Sequence, residues 1–125
     1  MNIVMRQEGD VEIIIVQGSI VADTIGELKK CLDDCISLEK IKVVVDLADV
    51  NHVDSSGLAA FVSRAGTLRK KNGDLRFSSM NAQVRSVFDI TFLTPHFRIF
   101  DDLPHALAGF QVAANPDSII PRNDS

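Results

Sequence analysis

Residues 43–58 read VVVDLADVNHVDSSGL, and this stretch decides the fold. Its three consecutive valines lie in a short β-branched run, residues 41–47, which is typical of a central strand that helices cover on both faces. A polar loop follows and ends in DSSG at residues 54–57, after which apolar residues recur at helical spacing. A buried strand that leads through a loop into an amphipathic helix predicts an α/β protein.

The same alternation of strand and helix patterns extends through the rest of the chain. A Gly-Asp turn joins two early apolar runs and predicts a hairpin. The resulting order, ββαβαβαβα, predicts a mixed, mostly parallel β-sheet flanked by helices. We expect one domain over residues 1–112 and a flexible C-terminal tail over residues 113–125. The predicted strands are residues 3–6, 11–17, 41–47, 74–78 and 97–100, and the predicted helix caps are Asp23 or Thr24, Asp54 or the serines after it, Asn81, and Asp101-Asp102.

The composition restricts the class of protein. The chain has 125 residues, a formal net charge of -4 and 46% hydrophobic residues, which suits one domain with one core. No stretch approaches the roughly 20 apolar residues of a membrane helix. Arg6, Glu8 and Asp10 interrupt the early apolar residues, so no signal peptide is indicated. The acidic balance and the absence of Tyr and Trp argue against a nucleic-acid partner.

The cysteines and histidines indicate neither a metal site nor a cofactor. Cys31 and Cys35 lie four apart on a predicted helix, which is an awkward spacing for a disulfide and lacks the C-x-x-C pattern of a metal or redox site. We therefore expect two buried thiols in a reducing cytoplasm. His52, His96 and His105 are scattered along the chain, and no Walker loop or G-x-G-x-x-G motif suggests a nucleotide site.

The polar cluster at residues 54–57 carries the functional signal. It begins a helix, where free backbone N–H groups and the helix dipole favour negative charge. Asp54, Ser55 or Ser56 can cap such a helix, but one cap needs only one side chain. Gly57 lies inside the first turn, where glycine costs about 1 kcal/mol relative to alanine. We therefore expect something to approach the backbone closely there, such as a phosphate on Ser55 or a partner protein that reaches it.

Nucleophilic hydrolysis is the competing interpretation of the same residues. His52, Asp54 and Ser55 lie within four residues, whereas a catalytic triad converges from separate elements with the histidine between the acid and the nucleophile. The G-x-S-x-G pattern of a nucleophile elbow is also missing. We therefore predict no catalytic residues and a protein that is not an enzyme.

At these residues the sequence resembles the STAS domains of the anti-sigma factor antagonist family. The resemblance spans about residues 3–111, and the D-S-S-G-L motif in this setting is its most specific part. The fold that the resemblance implies, a mixed sheet flanked by helices, agrees with the order of elements predicted above. The matching segments are VVVDLADV (43–50), VDSSGL (53–58), KNG (71–73), NAQVRSVFD (81–89), FDD (100–102) and AL (106–107).

The resemblance implies a bacterial, cytoplasmic signalling protein that acts by binding. In that family the unphosphorylated antagonist binds an anti-sigma factor, typically a GHKL-type serine kinase, and a sigma factor is released. The kinase phosphorylates the serine that directly follows the aspartate of the motif, which is Ser55 here, and a PP2C-type phosphatase reverses the reaction. Asp54, Ser56 and Gly57 would be its neighbours on the docking surface, and Asp23 belongs to a loop that commonly lies beside the site.

Some alternatives stay open at this stage. Residues 18–23, GSIVAD, depart from the acidic G-E-L-D-like segment of many family members. A STAS subunit of another signalling or transport assembly, acting as a non-phosphorylated binding module, is therefore the alternative function. Phe92, in the loop after the third predicted helix, is predicted to be a core residue, with an exposed contact for a partner as the alternative. Val62 is predicted to lie on the buried face of the second helix with Phe61 and Ala65.

Overall fold

The computed structural model describes residues 1–114, with side chains described through Phe110. This part of the chain contains five strands and four α-helices in the order predicted from the sequence, ββαβαβαβα. A 3₁₀ turn at Thr94–His96 lies between the third helix and the last strand. The elements are β1 (Asn2–Glu8), β2 (Val11–Gln17), α1 (Ile25–Ser37), β3 (Lys42–Asp49), α2 (Ser55–Lys70), β4 (Asp74–Ser78), α3 (Ala82–Ile90), β5 (Ile99–Phe100) and α4 (Leu103–Ala114).

The five strands form one sheet in the order β1-β2-β3-β4-β5. β1 and β2 form the predicted antiparallel hairpin, in which Glu8 pairs with Val11 and Gly9 has a positive φ of 61°. All other neighbouring strands are parallel: Val11 of β2 pairs with Lys42 of β3, which in turn pairs with Asp74 of β4. The predicted α/β fold with a mostly parallel sheet is confirmed. Because β2 and β3 point the same way, the loops that follow them meet at one edge of the sheet.

The larger hydrophobic core lies between one face of the sheet and helices α1, α2 and α3. Its aromatic centre is Phe77 of β4, whose ring centroid lies 4.8 Å from that of Phe61, 5.3 Å from that of Phe88 and 5.1 Å from that of Phe97. All three pairs are edge-to-face, the arrangement that the charge distribution of aromatic rings favours. This cluster fixes α2 and α3 on the sheet.

Helix α4 packs on the opposite face of the sheet. Val44 of β3 belongs to a cluster with Phe110 of α4, whereas Val43 and Val45 face the larger core. All three valines are fully buried, which confirms the prediction of a central strand covered on both faces. Arg76 of β4 also lies under α4, with its guanidinium 3.9 Å from the centroid of the Phe110 ring.

The helix starts show which predicted caps form. The side chains of Asn81 and Asp102 each accept a hydrogen bond from a backbone N–H in the first turn of α3 and α4, so both predicted caps are confirmed. Thr24, one of the two predicted residues, occupies the N-cap position of α1, but no side-chain capping hydrogen bond forms there. The Thr24 hydroxyl instead donates to the carbonyl oxygen of Ser19 at 2.8 Å, within its own loop.

Two apolar side chains predicted to be buried are exposed. Val62 is 46% exposed because the buried face of α2 is occupied by Phe61 and Ala65, and Val62 lies outside it. Phe92 is 80% exposed and follows the end of α3, where the chain turns away from the helix. The core positions predicted for these two residues are therefore wrong.

The C-terminal elements differ from the prediction in their lengths. β5 contains only Ile99 and Phe100 rather than residues 97–100, because Phe97 is the residue that ends the 3₁₀ turn at Thr94–His96. α4 continues through Ala114, so the first two residues of the predicted tail, 113–125, are helical. The rest of that segment lies outside the described residues.

Candidate functional site

The candidate site is built around Asp54, which caps α2. Asp54 has an extended backbone conformation, and its Oδ1 accepts hydrogen bonds from the N–H groups of Ser56 at 2.9 Å and Gly57 at 3.2 Å. Its Oδ2 accepts a further bond from the N–H of Ala22 at 3.1 Å. Desolvation would raise the pKa of Asp54, but the three backbone N–H donors outweigh it, so that pKa lies below its usual value. The carboxylate therefore stays charged and holds the helix start in place.

Ser55 is the first residue of α2 and is exposed. Asp54 already caps the helix, so the Ser55 hydroxyl is not needed for this purpose. Among the described residues, none forms a hydrogen bond with that hydroxyl. Ser56, its neighbour, is half-buried. The structure thus distinguishes the adjacent serines and leaves the first one accessible.

Gly57 is buried, and its missing side chain is explained by contacts inside the protein. A Cβ at this position would lie 2.8 Å from Cγ2 of Ile20 and 2.9 Å from Cγ1 of Val53. The expectation that Gly57 admits an external group is therefore corrected: the glycine lets α2 pack closely against the two preceding loops.

The loop between β2 and α1 is attached to the loop before α2. The N–H of Ile20 donates to the carbonyl oxygen of His52 at 2.9 Å, and the N–H of Asp54 donates to the carbonyl oxygen of Ile20 at 3.1 Å. Together with the Ala22–Asp54 bond, these contacts bring the loop of residues 18–23 beside the start of α2. Asp23 directly follows Ala22 in this loop and is exposed.

The contacts of Asp54 do not form a catalytic triad. In a triad the aspartate orients a histidine that faces the nucleophile. Here both carboxylate oxygens of Asp54 accept backbone N–H groups, and exposed His52 contributes its carbonyl oxygen to the bond with Ile20. Asp54 is a structural cap in this arrangement.

The described residues contain two thiols but no metal-binding cluster and no membrane-spanning helix. Cys31 and Cys35 are free; Cys35 is buried as predicted, whereas Cys31 is only half-buried, so the prediction of two buried thiols is wrong for Cys31. Burial is the main cause that raises the pKa of Cys35 to about 11. Within residues 1–114, the structure contains no group of three or more His, Cys, Asp or Glu side chains suited to a metal ion. None of the described helices has the length and apolar character to cross a membrane.

A groove that the sequence did not indicate lies along one flank of α2. The opposite flank faces α1, to which it is joined by Arg64, whose guanidinium forms two 3.1 Å hydrogen bonds with Asp33. The groove has a volume of about 280 Å³. The groove could not be predicted from the sequence because Val62 was expected to be buried and because the other wall of the groove comes from the segment after α3. The lining residues are Val62, Ala65, Gly66 and Arg69 of α2, with Leu93, His96 and Phe97 after α3.

Comparison with known proteins identifies the family. The family model of the STAS domain matches residues 2–106. The anti-sigma-B factor antagonist of Listeria monocytogenes is 32% identical over 81 residues, which are 65% of this chain and 71% of that protein. The anti-sigma F factor antagonist of Paenibacillus polymyxa is 24% identical over 115 residues, which are 91% of this chain and 98% of that protein.

Solved structures of SpoIIAA, a Bacillus cell fate determinant, show the same fold. The unphosphorylated form has a TM-score of 0.77 at 15% identity, with 88% of this chain and 96% of that chain covered. The phosphorylated form has a TM-score of 0.70 at 14% identity, with 87% and 99% covered. The chain therefore belongs to the STAS domain family, and the two curated relatives described above are named anti-sigma factor antagonists.

Proposed function

We propose that this chain is an anti-sigma factor antagonist controlled by phosphorylation of Ser55. Its unmodified form binds an anti-sigma factor of the GHKL serine kinase type, and a sigma factor is released. The kinase inactivates the antagonist by phosphorylating Ser55, and a PP2C-type phosphatase restores it. The chain acts in the cytoplasm as a binding protein and not as an enzyme. The observation that carries the proposal is the exposed Ser55 hydroxyl at the start of α2, left free because Asp54 caps the helix.

The hydrogen bonds of Asp54 determine where a phosphate on Ser55 would lie. A helix start usually offers free N–H groups to an anion. Here the N–H groups of Ser56 and Gly57 already donate hydrogen bonds to the Asp54 carboxylate, so a phosphate on Ser55 would stay at the surface beside that carboxylate. It adds about -1.5 to -2 charges at neutral pH. A partner that fits a neutral hydroxyl would then meet extra volume, like-charge repulsion and a desolvation cost, and a loss of about 3 kcal/mol weakens binding more than a hundredfold.

The relatives support this switch. Two curated relatives are named anti-sigma factor antagonists, and a structural relative, SpoIIAA, has been solved in a phosphorylated and an unphosphorylated form. Ser55 directly follows Asp54 in the D-S-S-G-L motif, and this is the position that the resemblance to the family implies for the phosphorylated serine. The exposed Asp23 loop lies beside it and would contribute to the same docking surface.

Phosphopeptide mapping tests the modification site. The chain is isolated from the cells that produce it, as wild type, Ser55→Ala and the matched control Ser56→Ala. We expect a species 80 Da heavier in wild type and Ser56→Ala that is absent in Ser55→Ala. Normal modification of Ser55→Ala would contradict the proposal. A chain that stays unmodified under all conditions would favour the alternative function, a non-phosphorylated binding module.

Binding is tested with substitutions that separate charge from size. Ser55→Asp introduces a carboxylate, and Ser55→Asn introduces a neutral side chain of the same shape. In pull-downs with the anti-sigma factor, Ser55→Asp is expected to bind far more weakly than Ser55→Asn. Equal binding of the two variants would show that charge at this position does not control docking.

A further inference from the structure

Phe92 has a backbone conformation that disfavours its own side chain. The end of α3 is a Schellman motif: the N–H of Phe92 donates to the carbonyl oxygen of Asp89 at 3.1 Å, and the N–H of Leu93 to that of Phe88 at 2.9 Å. Phe92 therefore has a φ of 60°, in the left-handed region where glycine is the usual residue and a bulky side chain is an outlier. The ring is nevertheless 80% exposed, so burial does not offset this strain.

The other helix ends show how unusual Phe92 is. Glu39 and Asn72, which follow α1 and α2, also have positive φ values, of 59° and 68°. Asparagine enters this region readily, and Glu39 forms an ion pair with Lys71 at 3.0 Å. Phe92 instead projects a large apolar surface from a strained position. The Schellman motif requires the positive φ at position 92 but not a phenyl ring, and the ring is mostly exposed, so the fold does not account for the residue type.

Phe92 adjoins the groove on α2. It directly precedes Leu93, which lines the groove with Phe97 and Val62. Val62 and Phe92 are both among the exposed large hydrophobic residues, and Ile90 at the end of α3 is 73% exposed. Val62 lies in the groove itself and Phe92 is the sequence neighbour of its Leu93, and exposed apolar side chains next to a groove favour a protein-docking site.

The groove and Ser55 lie along one face of α2, the groove toward its C-terminal end and Ser55 at its start. Positions 55, 59, 62, 66 and 69 of α2 lie on one helical face, because they are separated by three or four residues. At 1.5 Å per residue, Ser55 and Arg69 are about 21 Å apart along the axis. A standard interface covers about 800 Å² on each partner, a patch roughly 30 Å across, so a single partner can reach both ends. The other flank of α2 is already occupied by α1.

We propose that the groove on α2 and the exposed ring of Phe92 form one half of a docking surface for the anti-sigma factor. The other half is the surface around Ser55, where phosphorylation controls binding. An apolar segment of that protein lies in the groove and buries Phe92. Phosphorylation of Ser55 acts at one end of this contact, while Phe92 supplies apolar area at the other. This inference rests on the proposed function, and its experiments distinguish the two.

Site-specific photocrosslinking in the producing cells tests whether one partner covers both ends. Benzoylphenylalanine replaces Ala59, near Ser55, or Phe92, and Leu38 is the control. Leu38 is 66% exposed and lies at the end of α1, away from the groove. We expect the same anti-sigma factor in adducts from positions 59 and 92, neither adduct with Ser55→Asp, and no such adduct from position 38. An adduct with the anti-sigma factor from position 59 but not from position 92 would overturn this inference and leave the proposed function intact. The absence of that adduct from both positions would overturn the proposed function.

Affinity measurements with the purified captured factor complete the test. Phe92→Gly replaces a strained residue by the one the backbone prefers, so its thermal unfolding midpoint should equal or exceed that of the wild type. We expect its affinity for the factor to fall at least tenfold, and that of Val62→Glu likewise. Leu38→Ser should bind within twofold of wild type. Wild-type affinity of Phe92→Gly, with Ser55→Asp still impaired, would overturn the inference and leave the Ser55 switch intact.

Discussion

Replacing Gly57 by alanine should destabilise the protein, although alanine is the better helix former. The new Cβ would lie 2.8 Å from Cγ2 of Ile20, 2.9 Å from Cγ1 of Val53 and 3.2 Å from the carbonyl oxygen of Ile20. Overpacking of this kind costs about 1–3 kcal/mol. The gain in helix propensity is about 1 kcal/mol at most. Since the oxygen belongs to the backbone, the clash cannot be relieved by side-chain rotation alone, and we expect a net loss of about 1 kcal/mol.

The same helix contains a matched control. Gly66 lies in α2 with open space where its Cβ would be, so Gly66→Ala should gain about 0.5–1 kcal/mol. Urea unfolding should therefore place Gly57→Ala below and Gly66→Ala above the wild type, with midpoints roughly 1 M apart.

A double-mutant cycle identifies the cause of the loss. Val53→Ala removes one of the two clashing methyl groups, so Gly57→Ala should cost less in that background, with a coupling of about 0.5 kcal/mol or more. If Gly57→Ala were as stable as Gly66→Ala, the contact between α2 and the loops before it would not be close. The reasoning about Gly57 would then be wrong.

Three further predictions concern other contacts. Because the pKa of Asp54 is lowered in the folded state, its contribution to the free energy of unfolding is present above its ordinary value of 3.8 and is lost as the pH falls through the folded pKa. The stability difference between wild type and Asp54→Ala should thus be constant from pH 5 to 8 and narrow below about pH 4 in urea titrations. Cys35, whose pKa is about 11, should react with a thiol reagent at pH 8 more slowly than half-buried Cys31, and denaturant should abolish the difference. Asn81→Ala removes both the cap of α3 and a 3.0 Å bond to the carbonyl oxygen of Val50, and should cost about 1–2 kcal/mol in urea unfolding; an unchanged midpoint would contradict that role.

Local patterns were sufficient to predict the order of elements. The β-branched run around Val44 and the caps at Asn81 and Asp102 depend on neighbours within a few residues, and the structure has them as predicted. The same holds for Ser55 and Asp54 at the start of α2, where the motif itself fixes the geometry. Hydrophobic periodicity and helix capping depend on residues that are close together in sequence, so both can be predicted from local sequence patterns.

The errors concern residues whose environment depends on distant parts of the chain. Gly57 is explained by contact with Ile20, far away in sequence, so its position alone suggested an external partner. Val62 is apolar and adjoins the buried face of α2, and helical spacing does not determine where that face ends. Phe92 has a backbone conformation that normally selects glycine, so residue type gave no sign of the turn. The groove lined by Val62 and by Leu93, which follows Phe92, could not be inferred for the same reasons.

The sheet order has a consequence for how the chain folds. Only the β1–β2 pair is joined by a tight turn, whereas the parallel pairings of Val11 with Lys42 and of Lys42 with Asp74 connect positions roughly 30 residues apart. Bringing these distant strands together costs chain conformational entropy before their stabilising contacts can form. Refolding should therefore be limited by formation of the β2–β3–β4 centre, and substitutions at Val43 or Val45 should slow the folding rate more than substitutions in β1.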